Sequence, residues 1–199
     1  MTFQSPFRLG VRLLWTSLLG ASILAILGAA PALAGEGRWV AVGPVVGYRS
    51  FAAPLELDPE FAIGARVSLG VSDRVVVTID GGHAEPTRTT SGIVSSFGDI
   101  RALVAYRLKT SGVRPYLLTG VGGQIMNFHD APASASAVVA AGAGAELDLA
   151  DAWVVVVEGS ANLYRGRLVT YNSTGQELTS TPRETYATGI FSLGILYRF

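Results

Sequence analysis

The sequence predicts an all-β fold, an eight-stranded antiparallel up-and-down transmembrane β-barrel. Along several segments, large apolar residues alternate with small or polar ones, which is the period-two pattern of a β-strand. The connections between these segments alternate strictly between short and long. The chain is apolar overall, with a mean hydropathy of +0.40, yet after Ala34 no run of about 18 residues lacks charged or strongly polar breaks. Alternating barrel strands produce this combination, and spanning helices do not.

Residues 1–34 have the layout of a secretory signal peptide. Arg8 and Arg12 supply a positive start, and a long apolar run and a helix-breaking proline follow. Ala32 and Ala34 are small residues at the two positions that a signal peptidase reads. We therefore expect cleavage after Ala34, and an uncleaved membrane anchor is the alternative, because the apolar run is nearly long enough to span.

Residues 35–199 are predicted to form the barrel as a single domain with eight strands. The predicted strands are 38–50, 60–71, 74–84, 96–108, 113–128, 138–149, 152–164 and 184–199.

The first four strands each have a continuous apolar face. These faces contain Val40, Val42, Pro44, Val46 and Tyr48; then Phe61, Ile63, Ala65, Val67 and Leu69; then Val75, Val77 and Ile79; then Ile100, Ala102, Val104, Tyr106 and Leu108. Small and charged residues alternate with them. In a transmembrane barrel the apolar face points to lipid and the other face lines the interior.

The last four strands follow the same rule with smaller residues. The fifth and sixth strands are rich in glycine, and the seventh contributes Val155 and Val157 to the apolar face. From Phe191 to the end of the eighth strand, every second residue is large and apolar. These residues are Phe191, Leu193, Ile195, Tyr197 and Phe199.

The connections predict one rim of turns and one rim of loops. The short connections are Ser72-Asp73, 109–112 and Ala150-Asp151, and the long ones are 51–59, 85–95, 129–137 and 165–183. An even-stranded up-and-down barrel has this arrangement, with both termini on the turn side.

The faces opposite the apolar ones carry glycines and charges of both signs. The predicted interior charge network contains Arg66, Asp80, Asp99, Arg101, Arg107, Arg114, Glu146, Glu158 and Arg198, and Asp148 lies on the same face. The interior of eight strands is just wide enough to be filled by side chains. We therefore expect ion pairs that plug the barrel, and a gated pore or proton path is the alternative.

The chain resembles the small eight-stranded outer-membrane barrels, the family of outer-membrane proteins A and X and the opacity-type porin-like adhesins. The resemblance rests on the eight-strand rhythm, on the stretch 114–122 (RPYLLTGVG) and on the end 193–199 (LGILYRF). It implies an integral outer-membrane protein surrounded by outer-membrane lipid, with an extracellular partner possible through the long loops. It also implies that Phe191, Leu193, Ile195, Tyr197 and Phe199 form the signal by which the barrel-assembly machinery recognises the chain.

The composition and the motifs argue against several kinds of functional site. The chain has no cysteine and a formal net charge of zero, without a basic patch for nucleic acid. His83 and His129 lack the His-x-Ser arrangement of lipid-A deacylases, and their spacing does not support a metal site. A phosphate-binding loop needs a lysine and then a serine or threonine after its glycines, and neither glycine run of this chain is followed by them. No cofactor and no catalytic residue are therefore predicted.

The leading functional prediction is a non-catalytic structural or surface-interaction protein of the adhesin kind. Three alternatives remain at the level of the sequence: a narrow channel for ions or small solutes, a lipid-A-modifying enzyme, and a soluble secreted lipocalin-like barrel. The resemblance cannot choose among the membrane-bound roles, because one barrel fold hosts several functions.

Overall fold

Eight antiparallel strands close into a barrel in a computed structural model that describes residues 38–89, 95–127, 133–166, 169–171, 177–180 and 183–199. Each strand pairs with its neighbours in sequence, and the first and last strands close the ring, which confirms the predicted fold class. The barrel strands are β1 (Trp39–Ser50), β2 (Glu60–Gly70), β3 (Val75–Ala84), β4 (Ser96–Arg107), β5 (Arg114–Asn127), β6 (Ser134–Ala150), β7 (Trp153–Gly166) and β10 (Glu184–Arg198).

The strands begin and end close to the predicted positions, with one clear exception. The sequence places 134–137 in a loop, but β6 already begins at Ser134, where it pairs with Met126 of β5. Serine and alanine have little intrinsic preference for strands. Pairing with β5 therefore decides the conformation of this segment.

The pleat directs large apolar side chains outward and charged ones inward. Phe61 and Ile63 on β2 are 74% and 69% exposed, whereas Arg66 on the opposite face is 4% exposed. A soluble lipocalin-like barrel requires the reverse arrangement, with its large apolar residues inside. The outward surface matches a barrel whose surrounding solvent is lipid.

The turn rim and the loop rim are built differently. The connections 71–74, 108–113 and 151–152 are short, and Gly112 has the positive φ of 65° that glycine tolerates in a turn. On the loop rim, a short 3-10 helix (Ala53–Leu55) follows β1. Two short strands absent from the prediction, β8 (Val169–Tyr171) and β9 (Glu177–Ser180), pair as a hairpin within the longest loop.

The seam between β1 and β10 closes the barrel, and its pairing is interrupted at Gly43 and Pro44. Proline has no backbone N–H to donate to the neighbouring strand. A Cβ atom on Gly43 would come within 2.0 Å of the Ile195 carbonyl oxygen. Glycine therefore permits the two strands to approach closely at this point.

The predicted signal peptide, residues 1–34 with Ala32 and Ala34, lies outside the described residues, as does His129. Within the described ranges, no helix is long and apolar enough to cross a membrane.

Candidate functional site: the barrel interior

A central ion-pair cluster fills the middle of the barrel. Arg101 donates two hydrogen bonds to Asp80, at 2.9 Å and 2.8 Å, and Arg66 donates one to the same carboxylate at 2.7 Å. Glu158 lies 2.8 Å from Arg66 and 3.7 Å from Arg101, oxygen to nitrogen. The two guanidinium groups thus hold two carboxylates in a region shielded from solvent.

Arg49 and Asp99 extend this cluster toward the loop rim. Arg49 donates two hydrogen bonds to the Asp99 carboxylate, at 2.9 Å and 2.7 Å, and the Gly82 backbone N–H donates a third at 3.1 Å. Arg49 was not among the predicted interior residues. The alternation along β1 could have identified it, since Arg49 lies on the face opposite Val46 and Tyr48.

The central ion-pair cluster is balanced in charge, because Arg49, Arg66 and Arg101 face Asp80, Asp99 and Glu158. Neutral side chains add hydrogen bonds to the cluster: Arg101 donates to Ser160 at 2.9 Å, and the Tyr116 hydroxyl donates to Glu158 at 3.0 Å. A buried charge is tolerated when it is both paired and hydrogen-bonded. This arrangement offers matched ion pairs rather than a charge awaiting a ligand.

A second group, the turn-side cluster, lies at the opposite mouth. Arg107 donates to Glu146 at 2.5 Å, and Arg114 pairs with both Glu146 and Asp148. Arg198 donates to Asp148 at 2.6 Å. The side chains of Asp148 and Arg198 are 39% and 22% exposed, so this cluster reaches the barrel mouth.

Trp39 covers the turn-side cluster. Its ring lies 4.8 Å from the Arg107 guanidinium carbon and 5.1 Å from that of Arg198, measured to the ring centroid. These are distances at which a cation is attracted to an aromatic face. A Cβ atom on Gly70 would lie 2.2 Å from the indole nitrogen, so glycine at this position makes room for the ring.

Two apolar layers separate and cap the charged groups. The turn-side layer lies between the two clusters and contains Ala41, Val76, Leu103, Ala105, Tyr116, Leu118, Ala140, Val154, Val156 and Leu196. The loop-side layer contains Leu55, Leu57, Phe97, Met126, Val138, Tyr164 and Tyr186. Leu55 and Leu57 come from the first loop, which therefore folds into the mouth of the barrel.

Two small cavities lie beside the charged groups. One cavity of about 20 Å³ lies against Arg49, Asp80 and Arg101, and one of about 10 Å³ lies between Glu146 and Glu158. A single water needs roughly 10–15 Å³ of such volume. Neither cavity forms a continuous passage through the described part of the barrel.

The structure brings the predicted interior residues together in two places. Arg66, Asp80, Asp99, Arg101 and Glu158 meet in the central ion-pair cluster, and Arg107, Arg114, Glu146 and Arg198 meet in the turn-side cluster. The predicted assembly residues lie on the outward face of β10 and at its end. They are Phe191, Leu193, Ile195, Tyr197 and Phe199, and all are exposed.

His83 lies near the loop end of β3, and its Nε2 is 3.6 Å from the Glu85 carboxylate. Among the described residues, no group of three histidine, cysteine, aspartate or glutamate side chains is arranged to hold a metal ion.

No family model matches the sequence, and no curated protein matches it either. Solved structures do match in fold. Neisserial surface protein A is 16% identical with a TM-score of 0.56, over 82% of this chain and 97% of that one. Ail, the attachment invasion locus protein of Yersinia pestis, is 15% identical with a TM-score of 0.51, over 82% and 99%.

The N-terminal β-barrel domain of Pseudomonas aeruginosa OprF is 15% identical with a TM-score of 0.50, over 80% of this chain and 97% of that domain. Ail has also been solved in complex with the heparin analogue sucrose octasulfate. At these identities the likeness concerns the fold, and the chain has the fold of the small eight-stranded outer-membrane β-barrels.

Proposed function

We propose that this protein is an integral outer-membrane barrel with a structural or surface-interaction role and without catalytic activity. The main support for this proposal is an outward belt of large apolar side chains around an interior filled by ion pairs and apolar layers. An apolar belt is stable in lipid, and a filled interior leaves the loops as the surface available to partners.

Cell fractionation combined with gel electrophoresis tests the membrane location. We expect the protein in the outer-membrane fraction, with a band that shifts between unboiled and boiled samples because a closed barrel resists unfolding by detergent. A soluble periplasmic band without a shift would overturn the proposal.

The surface role is assigned to the loop rim. The longest loop carries the hairpin of β8 and β9, which forms a separate two-stranded sheet and is not part of the barrel wall. Replacing 167–182 by a short glycine-serine turn should abolish adhesion of producing cells to host-cell surfaces and leave the gel shift intact. Equal adhesion with both proteins would leave only the structural role.

The assembly signal remains a prediction. The outward aromatic residues Tyr197 and Phe199 lie 4.9 Å apart between ring centroids, at an exposed position where another protein could bind them. Replacing both by serine should slow insertion by the barrel-assembly machinery in a reconstituted system. The inward change Leu196→Ala provides the control for a loss of packing alone.

The lipid-A enzyme is tested separately from the structural role. Cells that overproduce the protein should have lipid A of unaltered mass, as measured by mass spectrometry. A new lipid-A species that disappears with His83→Ala would replace the non-catalytic proposal.

A further inference from the structure

The outward face of β7 and β10 ends in two arginines at the loop rim. Arg165 is exposed on the face of β7 that carries Val157 and Leu163. Arg183 is exposed directly before β10, and alternation along that strand places it on the same outward side as Thr185. Two positive charges therefore lie on the outer wall of the barrel, outside its filled interior.

The register of the two strands brings these arginines close together. Thr185 is directly opposite Arg165, and Glu184 is opposite Gly166. Arg183 is thus the diagonal neighbour of Arg165 on the same face, at about 7–8 Å. Both guanidinium groups can contact one anion, because the side chains are long and each carries a planar fork of N–H donors that matches a phosphate.

The charge of this pair is not compensated within the described part of the chain. No described carboxylate forms an ion pair with either arginine, and Glu184 lies on the opposite face of β10. The rim differs at β3, on the other side of the barrel, where the His83 Nε2 lies 3.6 Å from the Glu85 carboxylate. An anion is therefore attracted to the wall formed by β7 and β10.

The position of Arg165 along β7 fits the headgroup layer of a bilayer. Trp153 and Tyr197 form an aromatic pair at the turn end of the same two strands, with ring centroids 5.1 Å apart, and aromatic residues are enriched at membrane interfaces. Ten residue steps separate Trp153 from Leu163. With a rise of about 3.3 Å per residue and a tilt of about 40°, they span about 25 Å of membrane, the height of the apolar band. Arg165 is the next outward residue and lies about 5 Å above that band.

The wall below the arginines is made of small residues. Ala161 on β7 is paired with Gly189 on β10, and Gly159 and Ala187 lie beside them on the same face. A Cβ atom on Gly159 would meet nothing within 4 Å, so the outward surface is open there. An acyl chain can lie close to the backbone over these four residues, because none has a side chain larger than a methyl group.

We propose that the outward rim of β7 and β10 binds the phosphate group of an anionic lipid in the leaflet on the loop side, through Arg165 and Arg183. This inference rests on the proposed function, because the arginines meet headgroups only in a barrel that spans a membrane. Hydrogen bonds from arginine to phosphate are strengthened by charge, and basic residues beside an apolar span attract anionic headgroups. Since the two arginines flank residues 167–182, one bound phosphate also joins the two ends of the longest loop.

The test uses the purified protein in neutral maltoside micelles, and native mass spectrometry counts the lipids bound during titration with bisphosphorylated lipid A. We expect one lipid A to bind. The affinity should be about fivefold weaker in Arg165→Gln and in Arg183→Gln, and about 25-fold weaker in the double variant, because each arginine at a membrane surface contributes about that factor. The matched control is Arg38→Gln/Arg74→Gln, which removes two exposed arginines from the turn rim and should leave the affinity unchanged.

Several results would overturn the proposal. One is equal affinity for lipid A in the loop-rim and turn-rim double variants. Another is equal binding of the neutral glycolipid diglucosyldiacylglycerol, because the phosphate would then not be recognised. A third is displacement of lipid A by equimolar inorganic phosphate, because the acyl chains would then add nothing. The gel shift on each preparation reports the folded barrel, so a band that shifts on boiling without lipid A binding overturns this inference and leaves the proposed function intact.

Discussion

Arg101 lies where the central ion-pair cluster meets the neutral side chains of β7. Its guanidinium group donates to Asp80, to Ser160 at 2.9 Å and to Asn162 at 3.4 Å. Removing one partner of a buried pair leaves a charge without compensation, which costs more than the net stability that the pair contributes. The contribution of Arg101 to stability is therefore best measured by replacing it and comparing the loss with that from the same replacement of an exposed arginine.

Replacing Arg101 with leucine should lower the free energy of unfolding in lipid vesicles by about 3–5 kcal/mol, because three buried carboxylates of the central ion-pair cluster would then face only two arginines. Arg74→Leu is the control: Arg74 is exposed, with a 3.3 Å contact to the Tyr106 hydroxyl, and a change within about 0.5 kcal/mol is expected. Equal losses in the two variants would contradict a special role for the buried pair.

Glycine residues in the barrel wall differ in what an added methyl group would meet. A Cβ atom on Gly120 would lie 2.1 Å from the Ala102 carbonyl oxygen, whereas one on Gly159 would meet nothing within 4 Å. Gly120→Ala should lower the free energy of unfolding by about 1–3 kcal/mol through overpacking. Gly159→Ala should leave it unchanged or slightly raised, and urea titration of both variants in vesicles compares them.

At the scale of the strands, alternation assigns each residue to lipid or to the interior. Val121 lies in the middle of β5 and is 61% exposed on the outward face, whereas Leu149 is equally exposed at the turn-side end of β6. Depth in the bilayer should therefore distinguish these two apolar positions, because the cost of a charge falls toward the interface.

Val121→Arg should reduce the free energy of unfolding in vesicles by about 2–4 kcal/mol, and Leu149→Arg by about 0–1 kcal/mol. Both substitutions introduce an arginine at an equally exposed outward position, so the difference between the two losses reports depth in the bilayer. If the two losses were equal, Val121 would not lie in the apolar band.

At the scale of the whole molecule, layers of side chains close the interior. Trp39 and the turn-side cluster close one mouth, and Leu55 and Leu57 close the other. The cavities of about 20 Å³ and 10 Å³ each hold about one water.

The purified protein should therefore show no steady conductance in planar lipid bilayers, because a filled interior offers ions no hydrated path. Single-channel recording over a range of voltages checks this expectation. Discrete conductance steps that Arg101→Ala alters and the outward substitution Val121→Ala leaves unchanged would favour the narrow channel over the closed barrel.

Much of the fold was predictable from the sequence, because the alternation of apolar and polar residues along a barrel strand shows which face meets lipid and which lines the interior. Arg66, Asp80 and Arg101 could be assigned to the interior from parity along single strands. Their partners could not be deduced, since Arg49 and Asp99 are 50 residues apart and meet only because β1 and β4 face each other across the interior.

The sequence by itself determined the number of barrel strands, the two rims and which face meets lipid, because these depend on local periodicity and turn chemistry. Only the tertiary structure decided that β6 begins at Ser134, that Leu55 and Leu57 cover the interior, and that Arg49 pairs with Asp99. These features depend on register and on packing between strands distant in the chain, and no local pattern encodes such contacts.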